Sequence, residues 1–272
     1  MTRAVRQIYP VQGPDLPVVA TAGDGPLPPA VADLARLYGN EAQPGPAPVL
    51  CANMVASTDG AASADGRSGG LSGPADRMVF TVLRSLADLV LVGAGTARAE
   101  HYRPAQAAGL WPELRPPGSP VPPIALVSAH LTVDPDAPLL TAAAPGAQTI
   151  VITTRSASAG RKAAIARHAR IICAGEEHVD LPAAVAELGS LGYRRILCEG
   201  GPTLLGSLGQ AGLLHELCLT ISPLIVAGTE GRIIRSAAAD GPGTAATPAA
   251  KLTLAHVLAD DNFLFCRYLR GQ

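Results

Sequence analysis

Apolar residues along the chain fall into two kinds of run. Short continuous blocks, bounded by glycine, proline or acidic residues, alternate with stretches in which apolar positions recur every three or four residues. VLCANMVAS from 49, DLVLVG (88–93), IALVS (124–128), TIVITT (149–154), RIICA (170–174) and RILCEGG from 195 belong to the first kind. They read as strands covered on both faces, because unbroken β-branched runs of this length leave no solvent side. PADRMVFTVLRSLA belongs to the second kind. Met78, Val79, Val82, Leu83 and Leu86 share one helical face, with Ser72 or Gly73 as cap and Asp76 in the first turn. Further helices are predicted over AGTARAE, about 156–168, LPAAVAELGSLG and the residues after Pro202. Residues 1–47, rich in proline and glycine, form an N-terminal arm with one short helix at VADLARLYG, and 48–272 the main domain. A Pro-rich excursion at 102–123 carries the one tryptophan, Trp111, and the low-complexity stretch 236–250 reads as a mobile loop.

Strands alternating with helices predict an α/β fold with a mixed, mostly parallel sheet and helices on both faces. ELCLTISPLIVAG, KLTLAHVL and NFLFCRYL have no helices between them. Antiparallel pairing of these C-terminal strands at one edge follows.

Composition narrows the partners. A chain of 272 residues buries one sizeable core. Its net charge of −1 and pI near 6.6 argue against nucleic acid or an anionic membrane surface as partner. No apolar run reaches the ~18 residues of a bilayer span. The segment MTRAVRQIYPVQGPDLP has no apolar signal core, so a cytoplasmic protein is expected. The cysteines at 51, 173, 198, 218 and 266 form no C-x-x-C pair and read as buried free thiols, with no metal site. The six histidines have no ligand spacing and read as structural or surface residues.

Two glycine turns carry the candidate chemistry. In RRILCEGGPTLL a strand ends on Glu199, Gly200 and Gly201, and Pro202 and Thr203 open a helix. VLVGAGTARAE repeats that layout around Gly93, Gly95 and Thr96. One such turn is an ordinary strand–helix connection. Two at the carboxyl ends of strands in one sheet form a grip for a pyrophosphate, because backbone N–H groups at helix starts approach phosphates closely. Neither is a G-x-G-x-x-G fingerprint, no G-x-S-x-G elbow stands at a strand–helix turn, and G-x-x-x-x-G-K-[ST] is absent from the sequence. Asp59, in STDG, reads either as a turn cap or as a carboxylate facing the cleft. Arg84, on the helix side shared with Arg77, reads either as a solvated position or as a phosphate ligand.

STDG, LSGPADRMVFTVLRSLADLVLVGAGTARAE and LCEGGPTLLGSLGQAGLLHELCLTISPLI, in this order, resemble the riboflavin-biosynthesis pyrimidine reductase family, the reductase half of bifunctional deaminase-reductases. The resemblance spans about 49–235. It implies a dihydrofolate-reductase-like fold, NADPH as cofactor and reduction of a phosphorylated ribosylaminouracil to its ribityl product. It places Gly93, Gly95, Thr96, Gly200, Gly201, Pro202, Thr203 and Leu204 against the cofactor, with Ser128 near its 2′-phosphate; Arg155, outside the family motif, is a further candidate there. It assigns Ser68, Arg84 and Glu199 to the substrate, and Asp59 and Glu199 to catalysis. The family loop D-D-P-x-L-T-x-R, whose arginine binds the substrate phosphate, is replaced here by AEHYRP, which keeps one acid, Glu100, and offers Arg103 as substitute phosphate ligand. The resemblance also implies a homodimer. Two rivals remain: a reductase of a pterin such as dihydrofolate, and a non-catalytic NADPH-binding protein on the same scaffold.

Overall fold

The computed structural model describes residues 4–9, 16–17, 27–39, 47–236 and 250–271. Strands β1 (Ala4–Tyr9) and β2 (Leu16–Pro17) and helix α1 (Pro29–Gly39) lie in the N-terminal segment. The predicted alternation follows as β3 (Val49–Ser57), α2 (Pro74–Leu86), β4 (Leu89–Gly93), α3 (Ala94–Ala99), β5 (Ile124–Val127) and α4 (Pro138–Thr141). It continues with β6 (Ile150–Thr153), α5 (Ala159–Ala166), β7 (Arg170–Cys173), α6 (Leu181–Ser190), β8 (Arg195–Cys198) and α7 (Pro202–Gln210). Three strands without intervening helices close the chain: β9 (Glu216–Ser222), β10 (Leu252–Asp260) and β11 (Phe263–Arg270).

Among the described residues all eleven strands form one sheet, in the order β2-β1-β10-β11-β9-β3-β8-β4-β5-β6-β7. From β9 to β7 every neighbour pair is parallel. Pairing from β9 through β11, β10 and β1 to β2 is antiparallel. The mixed sheet is therefore as expected, with one addition. Part of the segment read as an arm joins the sheet, β1 pairing with β10 so that Arg6 faces Ala259. The stretch 236–250, read as a mobile loop, falls outside the described residues except at its ends.

Strand residues of the parallel half alternate between two buried layers, which is why their sequences read as unbroken apolar runs. Leu91, Ile152 and Ile196 pack against Leu205 and Leu208 of α7 and Leu188 of α6. Val90, Val92 and Val151 face the opposite way, onto Ala97 of α3 and Ile165 of α5. A third cluster seats Val79, Val82 and Leu83 of α2 and Leu34 of α1 over Cys51, Leu197 and Cys218. Four cysteines are buried as expected, whereas Cys173 is exposed because it faces outward near the end of edge strand β7.

Helix α2 starts at the Gly73 cap with Pro74 in its first turn. Ser72 Oγ donates to the buried Asp76 carboxylate at 2.5 Å, and Thr220 Oγ1 of β9 donates to it at 2.6 Å. The other end of α2 is covered by the Pro-rich excursion. Trp111 is buried there, its backbone N–H donating to Ser85 Oγ at 2.9 Å, and Arg115 Nη1 reaches the Ser85 carbonyl at 3.1 Å. The excursion thus caps carbonyls that the helix end leaves unpaired.

Candidate active site

The carboxyl ends of β3, β8, β4 and β5 lie side by side, and the candidate residues follow them directly in sequence. The two glycine turns are in contact. Gly93 N–H donates to the Gly200 carbonyl at 2.9 Å, and a Cβ on Gly93 would lie 3.5 Å from Gly201 N. A Cβ on Gly201 would come within 2.2 Å of Thr96 Oγ1, so the turns approach this closely only as glycine. Gly200 has φ +89°, the left-handed region that glycine enters freely. Helix α7 begins at Gly201 with no side-chain cap, leaving its first N–H groups without an intrahelical partner.

A cleft of about 610 Å³ opens over these turns, within the ~300–1,000 Å³ range of ligand sites. Gly93, Gly95, Thr96, Ser128, Gly201, Pro202, Thr203 and Leu204 all line it, so the sequence reading is gathered into one cavity. Gly200 stands behind it, in the bond to Gly93. Glycine contacts that a Cβ would fill, a free helix start and a polar-to-apolar lining fit a dinucleotide in extended form. Arg155 does not line the cleft, whereas His130 and His178, both exposed, do.

A second cavity, of about 290 Å³, is lined by Asn53, Ser68, Asp76, Arg77, Tyr102 and Glu199, among others. Glu199, at the end of β8, has a side chain only 2% exposed. Arg84 Nε and Nη2 donate to its Oε1 and Oε2 at 2.6 Å each, a bidentate pair. Tyr102 OH donates to Oε2 at 2.6 Å, and the Arg84 guanidinium lies 4.4 Å from the centroid of the Phe80 ring. Burial pulls the Arg84 guanidinium down, but the Glu199 charge and hydrogen bonds outweigh this and hold it above its ordinary value. Burial, and then the Glu199 charge, push the Tyr102 phenol well up, so it remains an O–H donor. Arg84 and Glu199, read from sequence as separate ligands of the substrate, are thus partners of each other.

Tyr102 was not singled out in the sequence. It belongs to AEHYRP, and each of its neighbours there holds something. Glu100 accepts from Ser68 N–H at 2.8 Å and Ser68 Oγ at 2.9 Å. His101 Nε2 lies 2.9 Å from Arg67 Nη2. Arg103 is exposed and lines an adjoining cavity of about 360 Å³ together with Arg84 and Tyr102. No local pattern marks a lone tyrosine in a loop. Only its contact with Glu199, 97 residues away, does so.

Asp59 stands apart from both cavities. Ser57 Oγ donates to its carboxylate, as do the backbone N–H groups of Val226 at 3.2 Å and Ala227 at 2.7 Å. The Ser57 hydroxyl first, then these N–H groups, hold its pKa down at about 2. The carboxylate latches the turn after β3 onto the segment after β9, and stays ionised at neutral pH.

Residues 48–264 match the RibD C-terminal domain family. The 2,5-diamino-6-ribosylamino-4(3H)-pyrimidinone 5′-phosphate reductase of Archaeoglobus fulgidus is 30% identical over 186 residues, covering 67% of this chain and 84% of that protein. The enzyme of the same name from Methanothermobacter thermautotrophicus is 29% identical over 196 residues, 72% of this chain and 85% of that protein. Among solved structures, a pyrimidine reductase-like protein from Corynebacterium diphtheriae superposes with a TM-score of 0.70 at 25% identity, covering 83% of this chain and 92% of the other.

Proposed function

The chain belongs to the RibD C-terminal domain family, and on that footing we propose that it is a cytoplasmic NADPH-dependent reductase of the riboflavin pathway. Its substrate is a phosphorylated ribosylaminopyrimidine, whose ribosyl group is reduced to ribityl. The observation that carries the reading is the contact between the two glycine turns beside Glu199, which sets a dinucleotide-sized cleft against a small polar cavity.

NADPH, when bound, supplies the hydride. The chain's own residues bind, orient and exclude water. Gly93, Gly95, Thr96 and the Gly201–Leu204 turn hold the diphosphate, and Ser128 shapes the far end of the cleft. Glu199 offers about four lone-pair sites, of which Arg84 and Tyr102 occupy three. The remaining site on Oε1 accepts an N–H from the pyrimidine. Since Arg84 and Glu199 neutralise one another, the cavity suits an uncharged heterocycle. Arg77 and Arg103 are exposed at the edges of the two neighbouring cavities, without an ion-pair partner among the described residues, and serve the substrate phosphate. Ser68, fixed by Glu100, lines the wall facing the sugar.

The reading is tested by following NADPH oxidation with three compounds side by side: 5-amino-6-(5-phosphoribosylamino)uracil, its 2,5-diamino-pyrimidinone counterpart and dihydrofolate. Turnover of either phosphoribosyl compound is expected. The two named relatives carry the diamino form in their names, which favours reduction before deamination. Turnover of dihydrofolate alone would replace the proposal with a pterin reductase. A homodimer is proposed as well, supported by the exposure of Leu224 (43%) and Ile225 (82%) just beyond β9. Light scattering that gives a monomer mass at micromolar concentration would remove it.

A further inference from the structure

The geometry points to His130 and His178 as the residues that select a dinucleotide bearing a 2′-phosphate on its adenosine; we infer this on the reading that the 610 Å³ cleft holds a nicotinamide dinucleotide. Orientation comes from the sheet order. The Glu199 cavity lies on the β3 and β8 side, so the nicotinamide end points there and the adenosine end runs toward β5, β6 and β7. At that end the cleft is bounded by the loop after β5 and the loop after β7.

Charge then decides. A phosphate monoester inside a cleft needs cationic or strongly polarised donors. The start of α7 is engaged by the diphosphate, and no lysine or arginine is among the described residues lining the cleft. His130 and His178 are the lining side chains able to carry positive charge, one from each loop. Arg155, the cation suggested by sequence, is exposed outside the cleft.

Both loops have shapes fixed by hydrogen bonds. Ser128 Oγ accepts from Thr132 N–H at 3.1 Å and the Ser128 carbonyl from Leu131 N–H at 3.3 Å, closing a turn with His130 at its exposed tip. Ser128 is therefore a positioning residue for His130. Asp180 N–H donates to the Ala174 carbonyl at 3.2 Å, closing the other loop. Gly175, at φ +82°, lets that loop fold tightly, since a Cβ there would lie 2.1 Å from the His178 carbonyl oxygen.

The test is a calorimetric titration of the full chain with two cofactor fragments, adenosine 2′,5′-bisphosphate and 5′-ADP. The wild type is compared with His130→Gln, His178→Gln and the double variant, each checked for an unchanged melting temperature. Each single substitution is expected to weaken the 2′,5′-bisphosphate about tenfold and the double about a hundredfold, as for loss of charged hydrogen bonds. Affinity for 5′-ADP is expected to stay within about twofold, because it lacks the group the histidines read. Unchanged 2′,5′-bisphosphate binding in the double variant, or an equal loss for both fragments, would overturn the assignment alone. A wild type that binds neither fragment nor NADPH would overturn the cleft reading itself, and the assignment with it.

Discussion

The two cavities are built from different material. The cleft over the glycine turns is made mainly by backbone: two glycine turns in contact, a helix start without a side-chain cap, and small residues at 94–96. The Glu199 cavity is made by side chains drawn from α2, the loop after α3 and the end of β8, each meaningful only through its partners. A backbone site tolerates change in the sequence around it as long as the glycines remain. A side-chain site is an interlocked set, in which removing one member leaves another stranded.

The largest expected effect lies in the side-chain site. Arg84→Ala leaves the Glu199 carboxylate buried without its counter-charge, and a loss of about 3–5 kcal/mol in unfolding free energy is expected, read by urea denaturation. The double variant Arg84→Met/Glu199→Leu is expected to recover most of that stability while staying inactive. If Arg84→Ala cost under ~1 kcal/mol, the pair would be no more than a surface-type contact.

In the backbone site, Gly201→Ala presses a methyl group onto Thr96 Oγ1. NADPH binding is expected to weaken about tenfold or more, corresponding to ~1–3 kcal/mol of overpacking, with the Arg84–Glu199 pair undisturbed. A nucleotide fluorescence titration reads this directly, and an unchanged Kd would mean the turns are not the diphosphate grip.

Tyr102→Phe separates the two sites more finely. Loss of one hydrogen bond to a charged group, ~1.5–3 kcal/mol, predicts a kcat/KM lower by about ten- to a hundredfold with an unaltered NADPH Kd. Parallel loss of cofactor affinity would show that Tyr102 serves both cavities.

Asp59→Asn gives the smallest effect. The folded pKa of Asp59, about 2, lies below its ordinary 3.8, so its carboxylate stabilises the fold above pH ~4 and that contribution fades as pH falls through ~2. The variant is expected to melt slightly below wild type at neutral pH, with the gap closing in acid, and turnover is expected to persist. Abolished turnover with an unchanged melting temperature would return Asp59 to the chemistry.

How much was legible in the sequence follows the same division. The glycine turns could be read because a turn depends on residues next to one another, and Gly93, Gly201, Thr96 and Leu204 duly line one cleft. Strand β1 could not, since AVRQIY sits in a proline-rich stretch and its partner β10 lies at the other end of the chain. Ser68 and Arg84 could be singled out from the sequence, yet their bonds to Glu100 and Glu199 could not be foreseen. Asp59 carried the same ambiguity that any aspartate before a glycine carries, and its bond to the segment after β9 could not be read from neighbouring residues.

By itself the sequence determined the local elements: buried strands from unbroken apolar runs, helices from their spacing, and the glycine turns between them. Those depend on φ, ψ preferences and burial over a few neighbouring residues. The tertiary structure alone decided that Arg84 meets Glu199 across 115 residues, that Tyr102 joins them, and that His130 and His178 share a cleft. Such meetings depend on which strands lie adjacent in the sheet, and strand order is settled by the packing of the whole chain, not by any segment of it.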